Sequence, residues 1–104
     1  MNTPPREDLR FNKVSAKTRM EMCTKLNIVR VNGDFNTLAA ELNMSYDLIS
    51  IISQTTNHTE EIFKWWETKK EATVKKLLKI LKTMERDDVI TILHNDPNVH
   101  ALGK

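Results

Sequence analysis

Residues 59–93 read TEEIFKWWETKKEATVKKLLKILKTMERDDVITIL, and the fold is decided in this stretch. It predicts three short helices in succession, each opened by a residue suited to capping. Thr59 stands before Glu60 and Glu61, carboxylates that favour the positive end of a helix dipole. Ile62, Phe63 and Trp66 share the face that follows, whereas Trp65 points away from it towards Lys69. Thr73 opens the second segment, where Val74, Leu77, Leu78, Leu81 and Met84 keep the i, i+3, i+4, i+7 rhythm. Lys75, Lys76, Lys79 and Lys82 take its other side. Asp87 or Asp88 opens the third, with Val89, Ile90 and Leu93 turned inward. Helices this short are marginal alone, because nucleation is costly and packing must supply the stability. More helices are required upstream.

The preceding residues supply them. Ser15 caps a helix over about residues 16–28 with Met22, Cys23 and Leu26 inward, and residues 30–33 break it, with Gly33 as the turn residue. Asp34 caps a second, on which Phe35, Leu38, Ala39 and Leu42 recur at helical spacing, and Asn43 ends it in a left-handed conformation. Ser45 caps a third, with Tyr46 and Asp47 in its first turn and Leu48, Ile49 and Ile52 for the core. Residues 53–58 form a polar loop. Short loops favour antiparallel neighbours around one core. The expected architecture is all-α, a six-helix antiparallel bundle over residues 13–95. Residues 1–12 are expected as a flexible lead-in from which Phe11 can tuck against the domain. Residues 96–104 are expected as a C-terminal tail, with Pro97 closing the last helix.

Composition narrows the function. A chain of 104 residues makes one domain, burying roughly two-thirds of its unfolded surface. No alternating run argues for a strand. The formal net charge of +2 falls short of an obligate nucleic-acid binder. No apolar run reaches the ~18 residues of a membrane span, and MNTPPREDLR lacks the apolar core of a signal peptide. A cytoplasmic setting without direct membrane insertion is expected. Cys23, the only cysteine, can form no internal disulfide and lies at core spacing with Leu26, as an inert thiol.

Catalytic chemistry is not expected. His58, His94 and His100 lack metal-ligand spacing to one another or to Cys23. There is no Gly-rich phosphate loop, and the paired carboxylates stand at helix starts, where the dipole explains them. Neither enzyme activity, metal nor cofactor is expected. The lysines of the fifth helix have no aromatic or arginine base readers among them, so nucleic acid is not an expected partner. They form a solvated face, or, with Lys69 and Lys70 joining Lys75 and Lys76, a surface for an acidic partner.

A resemblance adds to this reading. The series Asp34-Phe35-x-x-Leu38-Ala39-x-x-Leu42, then Trp66, then Ala72-Thr73-Val74-x-x-Leu77-Leu78-x-x-Leu81, then Arg86-Asp87-Asp88-Val89 resembles the death domain over residues 14–93. Within that family it looks most like the adaptors that link Toll and interleukin-1 receptors to their kinases. Three positions depart from the family pattern: Lys70-Glu71 replace a Pro-Gly, Glu85 replaces a Gly, and Trp65 replaces a smaller residue. The resemblance implies assembly through small surfaces, a different one on each side, so that contacts need not close and can build stacks. Three pairs are implied here. Trp65, Lys69, Lys70 and Glu71 would face Glu85, Arg86 and Asp88. Tyr46 and Asp47 would face Asn32, Asp34, Asn57 and His58. Lys17 and Glu21 would face Glu41. The implied function is a signalling adaptor recruiting receptor-associated kinases in Toll-type innate immune signalling. Its partners would be death domains of those kinases or adaptors, and copies of itself. The alternatives are the regulatory death domain of such a kinase and a small helical nucleic-acid binder.

Overall fold

The computed structural model describes residues 9–29, 31 and 33–100. A 3₁₀ turn at Phe11–Lys13 leads into α1 (Ala16–Leu26), α2 (Phe35–Glu41), α3 (Tyr46–Ile52), α4 (His58–Trp66), α5 (Val74–Thr83), α6 (Asp87–His94) and α7 (Pro97–His100). The domain is all-helical, as expected, with one short helix more than the six anticipated.

Four helices start where the sequence places a cap. The side chains of Ser15, Asp34, Ser45 and Thr73 accept hydrogen bonds from the backbone N–H of Thr18, Asn36, Leu48 and Lys76 respectively. Each satisfies a donor that the first turn leaves without an intrahelical acceptor. Asn43 follows α2 with φ at 64°, the expected left-handed stop.

Two starts differ from expectation. Asn57, not Thr59, caps α4, its Oδ1 accepting from the Glu60 N–H at 3.3 Å. Thr59 lies buried inside the first turn, where its N–H and hydroxyl both donate to Asn27 Oδ1, at 2.9 and 2.6 Å. Asn27 Nδ2 in turn donates to Asn57 Oδ1 at 2.8 Å, tying the end of α1 to the start of α4. A tertiary partner has taken the donor that a local cap was expected to meet. At α6 the cap position is Arg86, which makes no side-chain capping bond, and Asp87 and Asp88 fall in the first turn.

The core gathers Met22 and Leu26 of α1, Ile62 and Trp66 of α4, Leu81 of α5 and Leu93 of α6. α1 packs on α4 and α6, α5 packs on α6, and α2 meets α3, α4 and α5. Trp66, only 1% exposed, has its ring centroid 5.4 Å from that of Phe11, and Phe11 lies 4.6 Å from Phe63. Ile80, outside the expected inward set, is buried, whereas Leu78, Ile90, Leu48 and Ile49 are half-buried at the core's edge. Burial of each large apolar side chain contributes roughly 1.5–3 kcal/mol towards folding.

The expected flexible lead-in and the expected tail both pack onto the domain within the described residues. Residues 9–11 run beside residues 72–74: the Val74 N–H donates to Leu9 and the Phe11 N–H to Ala72, both at 2.8 Å. Phe11 is fully buried. Residues 1–8 lie outside the described part. Asp96 and Val99, expected in the tail, are also buried. The Asp96 carboxylate accepts from the hydroxyls of Ser15 and Thr18, from the Ser15 N–H at 3.1 Å and from the Asn98 N–H at 3.0 Å. The start of α1 is thereby fastened to the α6–α7 turn. Residues 101–104 lie outside the described part.

Candidate protein-interaction surfaces

The junction of α4 and α5 begins where α4 stops after Trp66, leaving carbonyls without intrahelical donors. The Arg10 guanidinium donates to three carbonyls there, of Lys70 at 2.7 Å, Lys69 at 2.8 Å and Glu67 at 3.1 Å. A lone arginine in a proline-containing lead-in carries no periodic signal, and sequence reasoning missed it. Trp65 is half-buried against the core rather than fully outward, because its indole also covers the core's edge. Lys69 Nζ sits 4.2 Å from its ring centroid, a cation–π contact. Lys70 and Glu71 are exposed beside them.

The turn between α5 and α6 carries Glu85, exposed and at φ 58°, a left-handed conformation. The neighbouring Arg86 corrects the sequence expectation of a surface contact: it is only 2% exposed. Its guanidinium donates to the Gly33 carbonyl, grips Asp88 through Nε at 3.0 Å and Nη2 at 2.9 Å, and reaches the Lys25 carbonyl at 3.5 Å. The Arg86 stem passes Gly33, where a Cβ would stand 3.4 Å from Cδ, in ordinary van der Waals contact. Asp88 remains 42% exposed but is engaged with Arg86. The surface half of this turn is therefore Glu85, Asp87 and the outer side of Asp88.

The second pair divides differently. Tyr46 (81% exposed) stands outward at the start of α3, and Asp47 and Ile51, four residues apart, share an exposed face of the same helix. The connection from α1 to α2 exposes Ile28, Val29 and Val31, the last at 91%. Sequence reasoning missed this aliphatic group; the signal available was three large apolar residues placed within or beside a break. Asp34 is buried as the α2 cap, and its carboxylate accepts from the Asn36 N–H at 2.9 Å, so it presents no free surface. Asn32 lies outside the described residues. Asn57 is exposed but occupied with capping, and the half-buried His58 stacks on Phe35 with centroids 4.2 Å apart. Stacking on Phe35 leaves only part of the His58 ring at the surface. Lys17, Glu21 and Glu41 are exposed and make no ion pair among the described residues.

Beneath these surfaces, Arg19 joins α1 to α4 by pairing with Glu60 at 3.1 Å and Glu67 at 2.6 Å. Burial alone would lower the Arg19 pKa, but the bonds to Glu67 and Glu60 outweigh it and raise it above its ordinary value. Cys23 is buried beside this cluster; desolvation, and then the Glu60 carboxylate, push its thiol up to about 12. A thiolate is the reactive form, so this cysteine is suited to packing. Among the described residues no group of three or more His, Cys, Asp or Glu is placed to hold a metal ion, and no helix is long and apolar enough to cross a membrane.

A family model, that of the death domain, matches residues 19–96, well over half of the chain. No curated protein and no solved structure matches it. The chain belongs to the death-domain family, whose members bind other death domains through homotypic contacts.

Proposed function

We propose that this death domain is a signalling adaptor module that assembles with the death domains of receptor-associated kinases in Toll-type innate immune signalling, in the cytoplasm. Its assembly brings those kinases close enough to activate one another. The observation that carries the reading is where the large exposed apolar side chains fall. Tyr46 and Ile51 are both exposed on α3, while Ile28, Val29 and Val31 lie exposed on the α1–α2 connection. These are the two regions that would meet across neighbouring molecules in one of the three contacts expected from sequence. Each is too apolar to be explained as charged, solvated surface. The two patches differ from one another, so contact between them is head-to-tail and can propagate. The pairs formed by Lys69, Lys70 and Glu71 with Glu85 and Asp88, and by Lys17 and Glu21 with Glu41, supply charge that steers encounter and sets register.

Size-exclusion chromatography with light scattering, alone and with kinase death domains, tests this reading. Tyr46→Ala and Val31→Ser should each reduce assembly without lowering the melting temperature. A mixture of the two variants should form a limited complex, because each retains the patch that the other has lost. Assembly that ignores both substitutions, or that never forms with any kinase death domain, would sink the proposal.

A further inference from the structure

We propose that the trough between α5 and α6 docks an acidic amphipathic helix from a partner protein, at a site that shares only Asp87 with the surfaces described above. The trough is open and holds about 590 Å³. Its α5 wall is Lys75, Leu78, Lys79 and Lys82, and Ile90 and His94 face them from α6. Positions 75, 78, 79 and 82 follow i, i+3, i+4 and i+7, which stands the three lysines in a row roughly 10 Å long at 1.5 Å per residue. Leu78 and Ile90 pack partly on the core and leave their remaining surface as an apolar floor between the two walls.

The charge on this trough is unspent. Lys75, Lys79 and Lys82 are exposed, and none has an ion pair among the described residues. Arg19, Lys64 and Arg86, by contrast, each have a carboxylate within the domain. Asp87 is the one acid in the lining. α5 carries four lysines and no acid, so against a total formal charge of +2 the rest of the chain sums to −2. A field concentrated in this way attracts an acidic partner and orients its approach.

The floor decides which acidic partner fits. A cationic row beside an apolar floor needs a ligand that presents carboxylates and an apolar stripe side by side at one period. An amphipathic helix does this: acids at i, i+4 and i+7 follow the rise of the lysine row, and Leu or Ile on the adjoining stripe enter the trough. A phosphate backbone offers the charge without the stripe. A flat anionic membrane meets the lysine tips but not a floor recessed between two helices.

The test is selection of helical peptides from a random phage-displayed library on the full chain. The expected result is enrichment of Asp or Glu at i, i+4 and i+7 beside a Leu or Ile stripe. Selected peptides should move backbone amide resonances of residues 75–82 and 90–94. Lys75→Ala, Lys79→Ala and Lys82→Ala should each weaken binding by up to about fivefold, the range for an exposed ion pair. Joint replacement by Glu should abolish binding while melting is unchanged. Tyr46→Ala and Val31→Ser should leave peptide binding intact, which separates this site from the assembly surfaces. The proposal is overturned by failure to select any peptide, by a consensus without acids, by resonance changes elsewhere, or by binding that survives the triple charge reversal. Tighter binding of phosphatidylserine vesicles or duplex DNA than of any selected peptide also overturns it.

Discussion

Removing the Arg86 guanidinium should destabilise the fold by about 2–4 kcal/mol. Its bond to the buried Gly33 carbonyl has a charged donor, a class that contributes roughly 1.5–3 kcal/mol. The fork onto Asp88 adds about 0–1 kcal/mol, because that carboxylate is 42% exposed and can return to water. The 3.5 Å approach to the Lys25 carbonyl is at the limit for a hydrogen bond and adds little. Urea denaturation of the parent, Arg86→Ala, Arg86→Lys and Arg86→Glu measures the effect. With a slope near 1–1.5 kcal/mol per M for a small domain, the alanine midpoint should fall by roughly 1.3–4 M. Lysine should restore less than half of the loss, since one ammonium cannot reproduce a fork shared between a carboxylate and a carbonyl. Glutamate should be worst, facing Asp88 with like charge. An alanine variant within about 0.5 kcal/mol of the parent would behave as an ordinary surface change and refute the reasoning.

Asp96→Asn should cost about 1–3 kcal/mol at pH 7. Burial opposes the Asp96 charge, but bonds from Ser15 and Thr18 prevail and hold its pKa below the ordinary 3.8. A depressed pKa stabilises the fold above the unfolded value and loses that effect as pH falls through the folded one. The gap between parent and variant in melting experiments should therefore shrink below about pH 4; a gap that stays constant to lower pH contradicts this. Glu85→Gly should stabilise by about 1 kcal/mol, raising the melting temperature by about 4 °C or more, since φ of 58° strains a residue with a Cβ. Unchanged or lower melting would show that the turn tolerates glutamate without strain. Trp66→Ala should cost about 3–5 kcal/mol from the core, while the half-buried Trp65 should cost about 1–2 kcal/mol; equal losses would mean the two rings are misassigned.

What was legible in the sequence was what repeats along a single helix. Ser15, Asp34, Ser45 and Thr73 bond donors two or three residues ahead, so their role is local and readable. Met22, Leu26, Leu38, Leu77 and Leu81 declare themselves by period. Residues that bond across the chain have no such signal. Ser15 and Asp96 are 81 positions apart, Arg86 and Gly33 53, and Arg10 and Lys70 60. Arg86 therefore resembled any charged residue in a polar turn, and Asp96 resembled part of a tail. Val29 and Val31 carried no reading in the sequence beyond the break in which Val31 stands, and only the packing reveals that both are largely exposed.

Arg10, which carried no signal, and Arg86, which was misread, have a common consequence for the proposed assembly. Arg10 binds the carbonyls that follow α4, and Arg86 binds those at the α1–α2 connection and holds the start of α6. The Arg86 guanidinium is buried and that of Arg10 part-buried, and they bind backbone of the stretches that carry Lys69, Lys70 and the aliphatic Ile28, Val29 and Val31. A loop already held in one conformation loses less freedom when a partner docks, so more of the contact energy appears as affinity. The exposed charges set which partner approaches, and the buried ones set the shape that it meets. For that reason Arg10→Ala should weaken association at the proposed α4–α5 surface without removing any of that surface's proposed contact side chains. Resonance changes confined to residues 67–72, with partner affinity unaltered, would show that the loop needs no such anchoring.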